Sequence, residues 1–258
     1  MILHYKNSEI HFNVKGEGKP LLLLHGFLES KEMWEKLMPL FSAKSKVISI
    51  DLLGHGKTDS IGYIHTMEDM ARCVFAVLKH LKVKSVKVIG HSMGGYVALA
   101  LADLYPNLVS DLCLMNSTFE DDSEERKKLR LRAVEMARTN YERLVRTSFT
   151  SLFAPESKER FKSKYNDALK VALKTPVQGY IAAQRGMAQR NRRLTVFKDI
   201  QGKKEILIGK KDNLVNSEAL SKLIKNTPIE LVELSEGHMS HIENKSDLSY
   251  FLLRFIEK

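Results

Sequence analysis

The stretch that most constrains this chain is Val86–Gly95, where an apolar-rich run from Val86 to Ile89 passes directly into Gly90-His91-Ser92-Met93-Gly94-Gly95. Small and apolar residues then continue to Leu104. A short apolar run bounded by glycine reads as a buried strand, and the spacing after Met93 reads as a helix packed close to it. A strand that turns at once into a helix leaves no room for Cβ atoms beside the turn, which is why Gly90 and Gly94 flank Ser92 in a Gly-x-Ser-x-Gly register. The serine backbone is then strained, and its hydroxyl stands up at the carboxyl edge of the sheet. The helix start behind it supplies free N–H groups and a partial positive charge where an oxyanion would form. Gly-x-Ser-x-Gly also arises by chance in glycine-serine turns. Here the strand before it and the small-residue helix after it favour a nucleophile.

A serine hydroxyl is a poor nucleophile at neutral pH and needs an imidazole within hydrogen-bond reach. Nine histidines compete. His4 and His11 lie on an early hairpin, and His65 and His80 flank a surface helix, all away from the sheet's carboxyl edge. His25, His55 and His91 adjoin glycine turns at that edge, where histidines more often orient backbone than do chemistry. His238 and His241 follow the last strand, in Ser235-Glu236-Gly237-His238-Met239-Ser240-His241. Gly237 lets the chain bend sharply and project the next residue, so His238 is the expected base and His241 the reserve. A carboxylate must hold the imidazole tautomer. Asp212 follows the penultimate strand in Gly209-Lys210-Lys211-Asp212, whereas Asn116 stands at the other available strand end and Asp51 shapes a glycine loop. The expected order is Ser92, Asp212, His238. The oxyanion donors are expected to be the amides of Met93 and of Phe27, after Gly26. The Phe27 ring and His91 are expected to contact substrate.

Along the rest of the chain, Ile2–Tyr5 and Glu9–Val14 predict a hairpin about Lys6-Asn7-Ser8. Gly16-Glu17-Gly18-Lys19-Pro20 lacks the Gly-Lys-Ser/Thr of a phosphate loop and leads into a strand, so it is a turn. Leu21–Leu24 reads as a strand buried on both faces. Residues 32–41 carry a helical stripe of Trp34, Leu37, Met38 and Phe41. Val47–Ile50 is the next strand, ahead of the glycine loop Asp51–Thr58. Thr66 and Asp69 open a helix running to Leu81. After a strand at Asp111–Met115 the pattern changes. From Thr118 to about Arg193 no strand-like run appears, and Pro155 and Pro176 divide a charged, helix-forming stretch. Strands at Glu205–Ile208 and Ile229–Leu234 then alternate with helices at Ser217–Lys225 and Lys245–Ile256, as in a mostly parallel sheet with helices on both faces. The organisation expected is a core of residues 1–117 and 194–258, with 118–193 inserted as a helical cap over the serine.

At this point the chain resembles the α/β-hydrolase superfamily in its serine-nucleophile, capped form, close to uncharacterised carboxylesterase-like hydrolases. The resemblance runs from His25-Gly26-Phe27 through Asp51–Thr58 and the serine turn to Gly237-His238. It implies an α/β-hydrolase fold and the chain order of triad found in that superfamily. Members that open epoxides or displace halide use an aspartate nucleophile, and Ser92 argues against both. Cofactor-free peroxidase-type members often carry tryptophan where Phe27 stands. Hydrolysis of a carboxylic ester or related acyl bond is therefore the leading expectation. The alternatives are a lyase resembling the menaquinone-pathway synthase of succinyl-hydroxycyclohexadiene carboxylate, which would need arginines such as Arg130, Arg146 or Arg185 facing the serine, and a C–C bond hydrolase of diketones. A ligand sensor on the same fold ranks below these.

The formal charge of +10 raises the question of nucleic acid. Its positive residues concentrate between Arg126 and Arg193, mixed with Glu124, Glu125, Glu135, Glu142 and Glu159, which is the pattern of solvated helix faces. The expected partner is a small ester or acyl substrate rather than nucleic acid or a membrane, with the chain a monomer or homodimer. Neither a metal-ligand spacing nor a dinucleotide fingerprint is present, so no cofactor is expected. Cys73 and Cys113 fall in apolar patterns as reduced core residues, and the start lacks a signal-peptide pattern, which together predict a cytoplasmic protein.

Overall fold

In the computed structural model, which describes residues 1–257, eight strands form one sheet. They are β1 (Ile2–Tyr5), β2 (Ser8–Lys15), β3 (Pro20–Leu24), β4 (Lys46–Ile50), β5 (Val86–His91), β6 (Val109–Met115), β7 (Lys204–Gly209) and β8 (Glu230–Leu234). Their spatial order is β1-β2-β4-β3-β5-β6-β7-β8. β2 runs antiparallel to both β1 and β4, and every other pairing is parallel. The helices are α1 (Met38–Ser42), α2 (Met67–His80), α3 (Met93–Leu104), α4 (Glu124–Ala137), α5 (Tyr141–Thr150), α6 (Ser157–Arg160), α7 (Lys162–Leu173), α8 (Val177–Ala188), α9 (Leu194–Asp199), α10 (Ser217–Ile224), α11 (Ser240–Glu243) and α12 (Lys245–Glu257). None of these is long and apolar enough to cross a membrane.

The period-two alternation of β3 divides the core. Leu22 and Leu24 face a cluster with Ile48, Val88, Val74 and Val97, beneath α2 and α3. Leu21 and Leu23 face the opposite cluster, with Trp34, Phe41, Leu252 and Phe255, beneath α1 and α12. A strand apolar at every position is what two covered faces require. Cys73 and Cys113 are buried and unpaired, and burial pushes the Cys73 thiol up to about 12.

Two expectations need correction. The helix expected over 32–41 is broken into a 3-10 turn, Lys31–Trp34, and the short α1. Pro39 sits in the first turn of α1 and lacks the N–H that would continue a helix from before it. The apolar stripe survives the break, because Trp34, Leu37, Met38 and Phe41 all reach the same cluster. His65, expected at a surface, is fully buried. Its amide donates to the Ala182 carbonyl of α8 at 3.0 Å, and its Nε2 accepts from the Ile61 amide at 3.2 Å.

Six helices, α4 to α9, lie between β6 and β7. A third apolar cluster, containing Val145, Phe149, Tyr165 and Tyr180, joins α5, α7 and α8 to Leu28 and Met239 of the loops below. α9 belongs with the sheet: Phe197 packs into the α2–α3 cluster. Helix α8 lies backbone-to-backbone on the early loops. A Cβ on Gly179 would strike the Gly54 carbonyl, and one on Gly186 would strike the His65 carbonyl. Gly186→Ala should therefore destabilise the protein by about 1–3 kcal/mol through overpacking, read as a lowered denaturation midpoint. An unchanged midpoint would show that α8 can lift without cost.

Candidate active site

β5 ends in His91, Ser92 follows with φ 49° and ψ −116°, and α3 begins at Met93. A non-glycine residue pays for that conformation, and here the surroundings hold it. Ser92 N–H donates to the Met115 carbonyl at 2.9 Å, while the Ser92 carbonyl accepts from Ser117 Oγ at 2.7 Å and the Gly95 amide at 2.9 Å. A Cβ on Gly90 would lie 2.6 Å from the Gly94 carbonyl oxygen, and one on Gly94 would run into the Leu24 carbonyl. The flanking glycines are thus demanded by close approach of helix to sheet.

The three residues expected to form a triad meet. His238 Nε2 lies 2.9 Å from Ser92 Oγ, and His238 Nδ1 lies 2.7 Å from Asp212 Oδ2. Asp212 Oδ1 accepts the Leu214 and Val215 amides at 2.8 and 3.1 Å, and its Oδ2 also accepts from Asn116 Nδ2 at 3.0 Å. Burial alone would raise the Asp212 carboxyl. The His238 ring and the hydrogen bonds from His238, Asn116 and Leu214 outweigh burial and hold it below the ordinary carboxylate value. An acceptor at His238 Nδ1 places the proton there and leaves Nε2 bare toward the serine hydroxyl. The His238 amide in turn donates to the Leu152 carbonyl of the helical insertion at 3.0 Å.

The loop after β3 turns at Gly26-Phe27-Leu28-Glu29, where Leu28 takes φ 64° and the Glu29 amide returns to the Gly26 carbonyl at 3.3 Å. Among the described residues, neither the Phe27 amide nor the Met93 amide has an acceptor within the protein. Ser92 opens into a cavity of about 160 Å³ walled by Phe27, Leu28, Tyr96, Leu152, Met187 and Leu214. The Phe27 ring lies 4.9 Å from the Tyr180 ring of α8. A larger cavity of about 240 Å³ lies beyond Leu28 and Met239, which line both, and it does not reach the serine.

His91 stands beside the serine at the cavity wall. It touches the serine cavity, but both of its ring nitrogens are engaged with protein and it is 1% exposed, so it offers substrate no polar atom. Its Nδ1 is 2.6 Å from Glu29 Oε2 and its Nε2 is 3.1 Å from the His238 carbonyl. His241, the reserve base, stands 3.4 Å from Glu29 Oε1. Glu29, His91 and His241 present ligand-type atoms within 4.8 Å of one another. The 2.6 Å contact is nevertheless closer than two donors around one tetrahedral ion, about 3.3 Å apart, so it is a hydrogen bond. His25 Nε2 accepts the Leu52 amide at 2.9 Å, and Asp51 accepts the Lys31 and Lys57 amides at 2.8 and 3.1 Å, both shaping backbone as expected. Of the arginines, Arg130 lines the serine cavity beside Arg126. Arg146 pairs with Glu142 on the surface, and Arg185 reaches the Tyr63 carbonyl. Arg126, Glu29 and the Asn116 clasp on Asp212 were not legible beforehand, since only long-range contact brings them here.

Several buried histidines stay neutral, with consequences for stability. Burial pushes His55 down to about 3, and His65 and His241 down to about 4, against an ordinary 6.5. Their folded values lie below the unfolded one, so the unfolded chain takes up these protons first as pH falls. The stability they allow is complete above 6.5 and is lost toward pH 4 and 3. The melting temperature should fall on acidification from about pH 6.5, as calorimetry would read; a rise would contradict this charge assignment.

The comparisons with known proteins agree with the fold. The family model described as alpha/beta hydrolase fold matches residues 19–245, and the chain belongs to that family. An uncharacterized hydrolase, YugF of Bacillus subtilis, is 36% identical over 109 residues, 42% of this chain and 40% of its own length. An (E)-2-((N-methylformamido)methylene)succinate hydrolase of Acinetobacter baylyi is 26% identical over 71% of this chain and 68% of its own. Among solved structures, a malate-bound thermophilic esterase of Thermogutta terrifontis superposes with a TM-score of 0.88 at 27% identity, covering 97% of this chain and 95% of the esterase.

Proposed function

We propose that the chain is a serine hydrolase that cleaves a carboxylic ester or closely related acyl bond through an acyl-enzyme. The observation that carries this reading is the unbroken hydrogen-bonded line from Asp212 through His238 to Ser92 Oγ, at the floor of a walled cavity. Ser92 Oγ attacks the acyl carbon while His238 Nε2 takes its proton, and Asp212 stabilises the imidazolium. The amides of Phe27 and Met93 hold the oxyanion. The tetrahedral adduct collapses, the alcohol leaves with the proton from His238, and the acyl group remains on Ser92. Water then attacks with His238 as base, releasing the acid and restoring the serine. In this reading residues 118–193 act as a cap, closing the cavity with Leu152, Gln184 and Met187.

The wall also supports a preference for anionic acyl groups. Arg126 and Arg130 line the cavity, and the one carboxylate behind them, Asp122, is shared among Arg126 at 3.6 Å, Arg130 and Arg190, which leaves the group with an excess of positive charge. One relative is named for a succinate derivative, and the solved esterase holds malate. Arg126→Ala should raise KM for a monoester of a dicarboxylic acid about tenfold or more, while leaving KM for a neutral short-chain ester unchanged. Equal KM changes for both esters would remove the preference. The same arginines suit a polyanionic substrate, so the lyase similar to the menaquinone-pathway synthase is the second reading. Turnover of anionic substrates without any acyl-enzyme would favour it.

A further inference from the structure

Glu29 and His91 stand outside the proton-transfer line, yet they tie together the oxyanion loop, the serine turn and the histidine loop. Glu29 Oε2 accepts the Gly26 amide at 2.7 Å, immediately before the proposed oxyanion donor Phe27. The same oxygen meets His91 Nδ1 at 2.6 Å, and His91 immediately precedes Ser92. The other ring nitrogen, Nε2, meets the carbonyl of His238 itself at 3.1 Å. Glu29 and His91 are 6% and 1% exposed, and Glu29 borders the larger cavity.

The ring's partners decide its protonation. A carboxylate oxygen and a backbone carbonyl are both acceptors only, so a ring hydrogen-bonded to each through its two nitrogens must carry a proton on each. Beside an ionised Glu29, a neutral ring would leave one nitrogen lone pair pointing at an oxygen lone pair. We propose that His91 is a permanent buried imidazolium held by the Glu29 carboxylate, and that this pair is the positioning device keeping the oxyanion loop, the serine turn and the histidine loop in register. The positioning role rests on the acyl-enzyme reading; the charge state does not.

The surrounding groups fit this assignment. Burial opposes both charges, and their mutual attraction and hydrogen bond outweigh it, raising His91 and holding Glu29 at about 2. His241 faces Glu29 from the histidine loop, and burial, the first of its causes, leaves it neutral, so it does not compete for the counter-charge. Asp212 favours the cation at longer range, His25 faces Glu29, and the His238 ring stands 5.2 Å from the His91 ring. Breaking a buried pair from one side leaves an uncompensated charge. Glu29→Gln removes the counter-charge and keeps the shape: with its carbonyl at the position of Oε2 it can still accept both the Gly26 amide and a His91 Nδ1–H, and a ring without its counter-charge keeps a single proton.

The test is a nitrogen-15 NMR spectrum of the histidine rings in the intact protein at about pH 8, with His91 assigned by its loss in His91→Gln. Two protonated nitrogens on His91 in the wild type, and a single one in Glu29→Gln, are expected. A neutral His91 in the wild type would overturn the proposal, whatever the variants do. Folded Glu29→Gln should also lose about tenfold or more in kcat, with KM within about twofold, and label more slowly at Ser92 with a fluorophosphonate. An unchanged kcat would overturn the positioning role, because a purely structural pair affects stability and not the rate per folded molecule. Labelling of wild-type Ser92 separates the two ideas. If it labels and His91 is neutral, the clasp fails and the hydrolase reading stands. If it fails to label, the nucleophile reading falls and takes the positioning role with it.

Discussion

Ser92→Ala is expected to lower kcat against a short-chain ester by roughly five to six orders of magnitude, leaving KM and the melting temperature nearly unchanged. The alanine keeps the backbone contacts that hold φ at 49°, which come from Met115, Ser117 and Gly95 rather than from the hydroxyl. It removes only Oγ, whose one partner is His238 Nε2. The cavity walls remain, so substrate still binds. A loss below about a hundredfold would mean that His238 activates water directly, and that no covalent intermediate forms.

Asp212→Asn is expected to cost about four orders of magnitude in kcat, again with little change in KM because Asp212 does not line the serine cavity. The physical cause is a reversed hydrogen bond. Asn Oδ1 can keep the Leu214 and Val215 amides, which forces its NH₂ toward His238 Nδ1 and toward Asn116 Nδ2. His238 then carries its proton on Nε2 and donates to Ser92 Oγ instead of accepting from it. Pre-steady-state kinetics with a chromogenic ester would read the loss in acylation. A fall of less than about tenfold would mean that the ring is oriented by the Leu152 carbonyl at its amide and by the loop alone.

What was legible in the sequence has a common physical basis. Ser92, Asp212 and His238 stand directly after a strand or in the short loop that follows one, and strands of a parallel sheet deliver the residues after them to one edge. The glycines around Ser92 report a backbone approach so close that no other residue fits. The rest depended on contacts between distant segments. Nothing local in Leu28-Glu29-Ser30 says that Glu29 will be buried against His91, 62 residues later. The docking of α8 on Gly54 and His65 buried a histidine that local pattern placed outside. The stripe at 32–41 is legible as an apolar face, but Pro39 divides the helix expected to carry it. Arginine direction in the insertion was equally illegible: Arg126 and Arg130 reach the serine cavity while Arg146 and Arg185 turn to the surface.

Intact-protein mass after treatment with a fluorophosphonate, run on the wild type and on Ser92→Ala, decides whether Ser92 is the nucleophile. One covalent adduct is expected on the wild type and none on the variant, since only an oxygen freed of its proton by His238 attacks such phosphorus centres at useful rates. A folded wild type that takes up no adduct, or a variant that takes up as much as the wild type, would contradict the assignment of Ser92 as nucleophile.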